Sequence, residues 1–134
     1  VWTVVCVMLP IIETQHFNSS NIVLLSLHCF LFFMAITIPF DIRDMKFDIA
    51  NLKYKTLPLL AGITATKTIA LVFLAASAVV IGYTESDYWL GVIVWYAFTA
   101  VLILIINKNS NEYHYTFWLD GTIVLGCFLL FILK

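Results

Sequence analysis

The chain is 134 residues long, 63% hydrophobic and 11% charged, with a formal net charge of −1. Soluble domains carry roughly 25% charged residues, and a fold of this size cannot hide so much apolar surface from water, so its solvent is lipid. A near-neutral balance without a basic tract excludes nucleic acid as a partner.

The apolar run at residues 1–12 falls short of the roughly twenty residues a membrane span requires. No basic segment precedes it, as a signal peptide would need. It reads as the truncated end of a spanning helix, and the chain as a fragment of a longer protein. Residues 13–21 form a polar loop without Lys or Arg. Asn18-Ser19-Ser20 in that loop fits a glycosylation pattern that often arises by chance. Residues 22–40 are the first complete span, broken near its end by Pro39. His28 within it reads first as hydrogen-bonded to a neighbour and only second as facing a cavity.

A change of character follows. Asp41-Ile-Arg-Asp44-Met-Lys-Phe-Asp48, with Lys53 and Lys55 just after, concentrates three acids and four bases in an otherwise apolar chain. Read as a helix, positions 41, 44 and 48 share one face, because steps of three and seven residues nearly close whole turns. Three carboxylates on one face repel each other unless something positive sits among them. Mg²⁺ takes oxygen ligands and commonly shares them with substrate phosphates, so this face is a candidate seat for a metal-bound phosphate or diphosphate. A solvated juxtamembrane face, its acids balanced by Arg43, Lys46, Lys53 and Lys55, reads slightly better from these residues alone, since juxtamembrane charge is ordinary. On a helix, Arg43 and Lys46 point roughly opposite the acids, toward lipid headgroups.

The second span covers residues 59–83, with Thr64 or Thr66 expected to cap its start and Lys67 to snorkel to the interface. An acidic turn at 84–87 leads to the third span, 88–106, opened by Tyr88 and Trp89 as interface anchors. A polar loop at 107–113 precedes the fourth span, 114–133. That span contains Asp120, an ionisable group functional by default at such depth, or else a structural acid paired with a neighbouring helix. Gly121 beside it permits close helix packing. Cys6, Cys29 and Cys127 all lie in apolar runs and read as small buried hydrophobes, with no ligand spacing for zinc. Arg43, Lys46, Lys53, Lys55, Lys67 and Lys108 fall on one side of the bilayer and Lys134 alone on the other, which puts the aspartate-rich segment in the cytoplasm. The expectation is an all-α, polytopic transmembrane helix bundle of four full spans plus a truncated N-terminal one.

The order Asp41-Ile-Arg-Asp44-x-x-x-Asp48, then Lys55-Thr56-Leu57-Pro58 and Gly62, resembles the second aspartate-rich motif of the UbiA superfamily of intramembrane prenyltransferases. Many members carry a Gly between the last Asp and Thr-Leu-Pro, where this chain has Asn51-Leu52-Lys53-Tyr54 and about one extra residue. The resemblance implies a single membrane domain over residues 1–134, the C-terminal part of a nine-helix fold. The missing N-terminal helices would bear a facing first motif. It further implies an integral membrane prenyltransferase of the quinone, lipid or pigment type. Such an enzyme passes an isoprenyl group from an isoprenyl diphosphate to an aromatic or other lipophilic acceptor. Asp41, Asp44 and Asp48 would bind Mg²⁺, with Asp44 and Asp48 the catalytic pair. Lys53 and Lys55 would cover the diphosphate, and Asp120 would face the cavity. Phosphatidyl-alcohol transferases also use aspartates and a metal, but the Asp-Gly and Ala-Arg that precede their later acids do not accompany 41–48. The alternative is a catalytically incomplete remnant or interaction subunit. With one motif, this chain alone is expected to bind Mg²⁺–diphosphate weakly and turn over nothing.

Overall fold

In each long helix the residues that recur at helical spacing and turn inward include the polar ones. The computed structural model describes residues 19–51, 56–84, 89–107, 110 and 113–132. All regular structure among these is helical: α1 (Ser19–Thr37), α2 (Phe40–Asn51), α3 (Leu57–Ala61), α4 (Ile63–Thr84), α5 (Trp89–Ile105), a π-helical turn (His114–Leu119) and α6 (Asp120–Ile132). On α4 the buried positions are Thr66, Ala70, Leu74, Ser77 and Ile81, one stripe at steps of three and four. On α1 they are His28, Phe32, Ala35 and Ile36, and on the last helix Tyr115, Leu119 and Thr122. The outward positions are Val72, Val79, Val101, Leu104, Ile105, Val124 and Phe128, all exposed. A soluble bundle shows the opposite arrangement, with charge outside. Apolar surface outside and hydroxyls inside is what lipid selects, because an unpaired polar group in hydrocarbon is costly.

Helix α1 packs chiefly on α4, α4 on α5, and α5 on α6, so the chain folds back on its own preceding spans. Ile22–Met45 and Ile63–Tyr83 are each long and apolar enough to cross a membrane, while the apolar stretches Trp89–Ile105 and Phe117–Gly126 are shorter. At about 1.5 Å per residue a 21-residue helix reaches about 31 Å, the depth of a hydrocarbon core.

Two prolines bracket the aspartate segment. Pro39 has no N–H to donate to Ala35, and α1 stops at Thr37. Ile38 N–H still reaches Met34 O at 3.1 Å, and Asp41 and Ile42 N–H pick up Ile38 O and Pro39 O at 3.2 and 3.0 Å. The chain therefore re-enters a helix within one turn, and Ile42 ends fully buried. The aspartates lie on a helix that continues the span, not on a loop beyond it. Pro58 sits in the first turn of α3, where its missing N–H costs nothing. Gly62, at φ +85°, separates α3 from α4, donating to Pro58 O at 3.0 Å and accepting from Thr66 N–H at 3.1 Å. That left-handed backbone suits glycine.

One expectation for α4 is corrected. Neither Thr64 nor Thr66 caps it, since both lie within the helix and Thr66 Oγ1 donates backward to Gly62 O at 2.9 Å. Lys67 has a defined partner at the end of the neighbouring span. Its Nζ donates to Leu104 O at 2.7 Å and so satisfies a carbonyl at the C-terminal end of α5. Tyr88 lies outside the described residues, and Trp89 is exposed at the start of α5.

Candidate active site

Helix α2 carries Asp41, Asp44 and Asp48. At about 100° per residue the three positions fall within roughly 60° of one another around the helix, so the one-face reading follows from the observed helix. Asp41 and Asp44 are half-buried. The side chain of Asp48 lies outside the described residues, as do Lys53 and Lys55 altogether.

Arg43 departs from expectation. It does not turn away from the acids toward lipid headgroups. Its Nε donates to Asp44 Oδ1 at 2.7 Å and its Nη2 to Oδ2 at 3.4 Å. The guanidinium carbon stands 5.0 Å from the Phe40 ring centre and 5.9 Å from that of Tyr115. Cation–π contacts of this kind draw the side chain toward the two rings. Tyr115 belongs to the π-helical turn, is fully buried, and donates from its hydroxyl to Asn107 O at 3.1 Å. The aspartate helix and the start of the last helix thus meet around one arginine. The Arg43 charge also acts on Asp120.

Asp120 opens α6 and lines a groove of about 620 Å³ with Phe98, Phe117, Trp118, Val124 and Phe128. It is the acidic residue of an otherwise aromatic and aliphatic wall. Thr56, between the aspartate helix and α3, keeps a buried hydroxyl with no hydrogen-bond partner among the described residues.

Deeper in the bundle lies a second polar cluster. His28 Nδ1, Ser77 Oγ and Tyr96 OH form a closed triangle with sides of 2.9, 2.8 and 3.0 Å. Ser77 Oγ also donates to His28 O at 3.0 Å. The triangle joins α1, α4 and α5, so the reading of His28 as bonded to a neighbour was the right one. Its partners lie 49 and 68 positions away in sequence. The signal for them was a lone Ser and a lone Tyr inside apolar spans, where polar groups need partners.

Among the described residues no group of three or more His, Cys, Asp or Glu side chains converges on a metal-sized space. That is compatible with Mg²⁺, which uses one or two carboxylates and completes its octahedron with waters and substrate phosphates. The Arg43 contacts occupy one lone pair on each Asp44 oxygen, and a carboxylate has about four such sites, so Asp44 retains ligand capacity. The donor set therefore fits a metal that arrives together with a diphosphate.

Apolar helices around an inward polar stripe, two of them long and apolar enough to cross a membrane, are the kind of bundle that lipid favours. Residues 1–120 match the UbiA prenyltransferase family, and the chain belongs to that family, a family of membrane prenyltransferases. No curated protein and no solved structure matches it.

Proposed function

We propose that the protein transfers an isoprenyl group from an isoprenyl diphosphate to an aromatic or other lipophilic acceptor, with Mg²⁺ as cofactor. The observation that carries this reading is the helical presentation of Asp41, Asp44 and Asp48 directly after an apolar span. Four spans and a cytoplasmic aspartate end complete the proposal, on the one-sided distribution of Lys and Arg.

In this reading Asp41, Asp44 and Asp48 hold Mg²⁺, and Lys53 and Lys55 cover the diphosphate oxygens. When bound, the metal supplies charge neutralisation to the leaving diphosphate. The bond from the allylic carbon to oxygen breaks with its electron pair going to the diphosphate. The acceptor carbon or oxygen forms the new bond and then loses its proton. The apolar walls keep water from the electron-poor allylic carbon, as in any dry site where electrostatic terms must stay strong. The aromatic groove at Asp120 offers the isoprenoid tail or the acceptor apolar contact beside a carboxylate.

The test, on the full-length protein, is transfer from geranylgeranyl diphosphate to a panel of phenolic and alcohol acceptors, in membranes, with and without Mg²⁺. Asp44→Ala and Asp48→Ala are expected to abolish turnover, and Asp41→Ala, as the outer member, to reduce it less. Normal turnover in the first two variants sinks the reading of Asp44 and Asp48 as required metal ligands, whereas no turnover by any form, wild type included, leaves a membrane interaction subunit.

A further inference from the structure

We infer that Arg43 is a positioning residue: it fixes the carboxylate of Asp44 before a metal arrives, and Tyr115 of the last helix holds Arg43 in place. This rests on the reading above that Asp44 is a metal ligand.

Neighbouring residues on a helix project about 100° apart and do not ordinarily face each other. Arg43 nevertheless meets both oxygens of Asp44, at 2.7 and 3.4 Å. Its side chain has to fold along the helix surface to do so, at a cost in rotamer freedom that something must offset. The Phe40 and Tyr115 rings, 5.0 and 5.9 Å from the guanidinium carbon, supply that support from two helices. Tyr115 is itself immobilised, with its ring buried and its hydroxyl tied to Asn107 O at 3.1 Å. The Phe40 and Tyr115 rings also touch, 5.8 Å between centres at 52°. The guanidinium is therefore clasped by two aromatic rings and a carboxylate. An aspartate on its own rotates broadly about its last torsion. Here the fork pins it, so the remaining lone pairs hold one direction. Groups that orient metal ligands in this way are worth about 10- to 100-fold in metal affinity.

A competing effect has the opposite sign. A positive charge beside a cation site repels the cation, and on that ground removing Arg43 would tighten metal binding. The pair is one-third to one-half exposed, at 33% and 46%. At that exposure water and salt screen the repulsion. Orientation is not screened, so positioning prevails.

The two effects separate by experiment. Mn²⁺ binding is followed by electron paramagnetic resonance on the full-length protein in lipid nanodiscs with inorganic diphosphate, and prenyl transfer is assayed in parallel. Arg43→Gln and Arg43→Lys are both expected to weaken Mn²⁺ binding about tenfold or more. Lys keeps the charge but lacks the planar fork. Tyr115→Leu and Phe40→Leu, which leave Arg43 in place, are expected to weaken it in the same direction. Two ring variants guard against one failing to fold. Raising Mg²⁺ is expected to restore much of the lost transfer, which damage to the fold alone does not allow. Arg43→Gln binding as tightly as wild type, or more tightly, overturns the inference, as does Arg43→Lys behaving like wild type. Unchanged Mn²⁺ binding in Asp44→Ala overturns both this inference and the metal site beneath it. Weakened Mn²⁺ binding in the Arg43 variants, with no transfer by any form including wild type, upholds the positioning role and removes the transferase reading.

Discussion

Replacing His28 with Ala is expected to destabilise the bundle two- to threefold more than replacing Ser77 with Ala, although the Ser77 hydroxyl makes as many hydrogen bonds as the His28 ring. Ser77→Ala deletes bonds to His28 Nδ1 (2.9 Å), His28 O (3.0 Å) and Tyr96 OH (2.8 Å). Its loss leaves neither side-chain partner alone, because Tyr96 OH and His28 Nδ1 remain 3.0 Å apart. Hydrogen bonds between membrane helices average about 0.6 kcal/mol each, so the change costs about 1–2 kcal/mol. His28→Ala removes a ring whose centre lies 6.4, 6.1 and 6.3 Å from those of Phe32, Trp95 and Tyr96. His28 is 4% exposed, so the site cannot fill with lipid without opening. Emptying an aromatic-sized space typically costs about 3–5 kcal/mol. Equilibrium unfolding in mixed detergent–bicelle solution, with helix content as the signal, measures both changes. A Ser77→Ala cost equal to or above that of His28→Ala would refute the view that ring packing outweighs the hydroxyl bonds.

Gly126→Ala is expected to loosen α5 from α6 by about 1–3 kcal/mol. An added Cβ there runs into Trp95 Cε2 and Cζ2 and lies 2.6 Å from Cδ2, so the buried indole has to move and its fluorescence shifts. Gly62→Ala places an L side chain at φ +85° and is expected to cost about 1–2 kcal/mol in the same unfolding measurement, with no contribution from crowding since nothing lies within 4 Å. Lys67→Met is expected to free Leu104 O and raise amide exchange at the C-terminal end of α5, while exchange in α1 stays unchanged.

The helix beneath the aspartates could be read from spacing alone, because two carboxylate intervals of three and four residues match one helical face. The direction of Arg43 could not. Its angular position around the helix points away from the acids, but a long, flexible side chain goes where its charge finds aromatic faces. Tyr115, the more distant of those faces, is 72 positions further along the chain. The partner of Lys67 was out of reach for a related reason. Snorkelling is the default for a lysine near a membrane boundary, and only the docking of α5 beside α4 brings an orphan carbonyl within reach. His28 was read rightly in kind and blindly in partner, since burial of polar side chains demands pairing but sequence distance says nothing about which helix supplies it. The threonines at the start of α4 misled through their chemistry. A hydroxyl serves as an N-cap or as a donor to the carbonyl four residues back, and the glycine at 62 decided where the helix starts.

The π-helical turn at His114–Leu119 has a consequence for how the gene can change length. Such a turn accommodates one residue more than an α-helix does. Deleting one residue within it leaves a continuous helix, so the span survives. The phase does not survive: everything before the deletion rotates by about 100° relative to everything after it. Gly126 would keep its place against Trp95 while Tyr115 swung off Arg43. Single-residue deletions in 114–119 are therefore tolerated by the membrane yet uncouple the last helix from the aspartates.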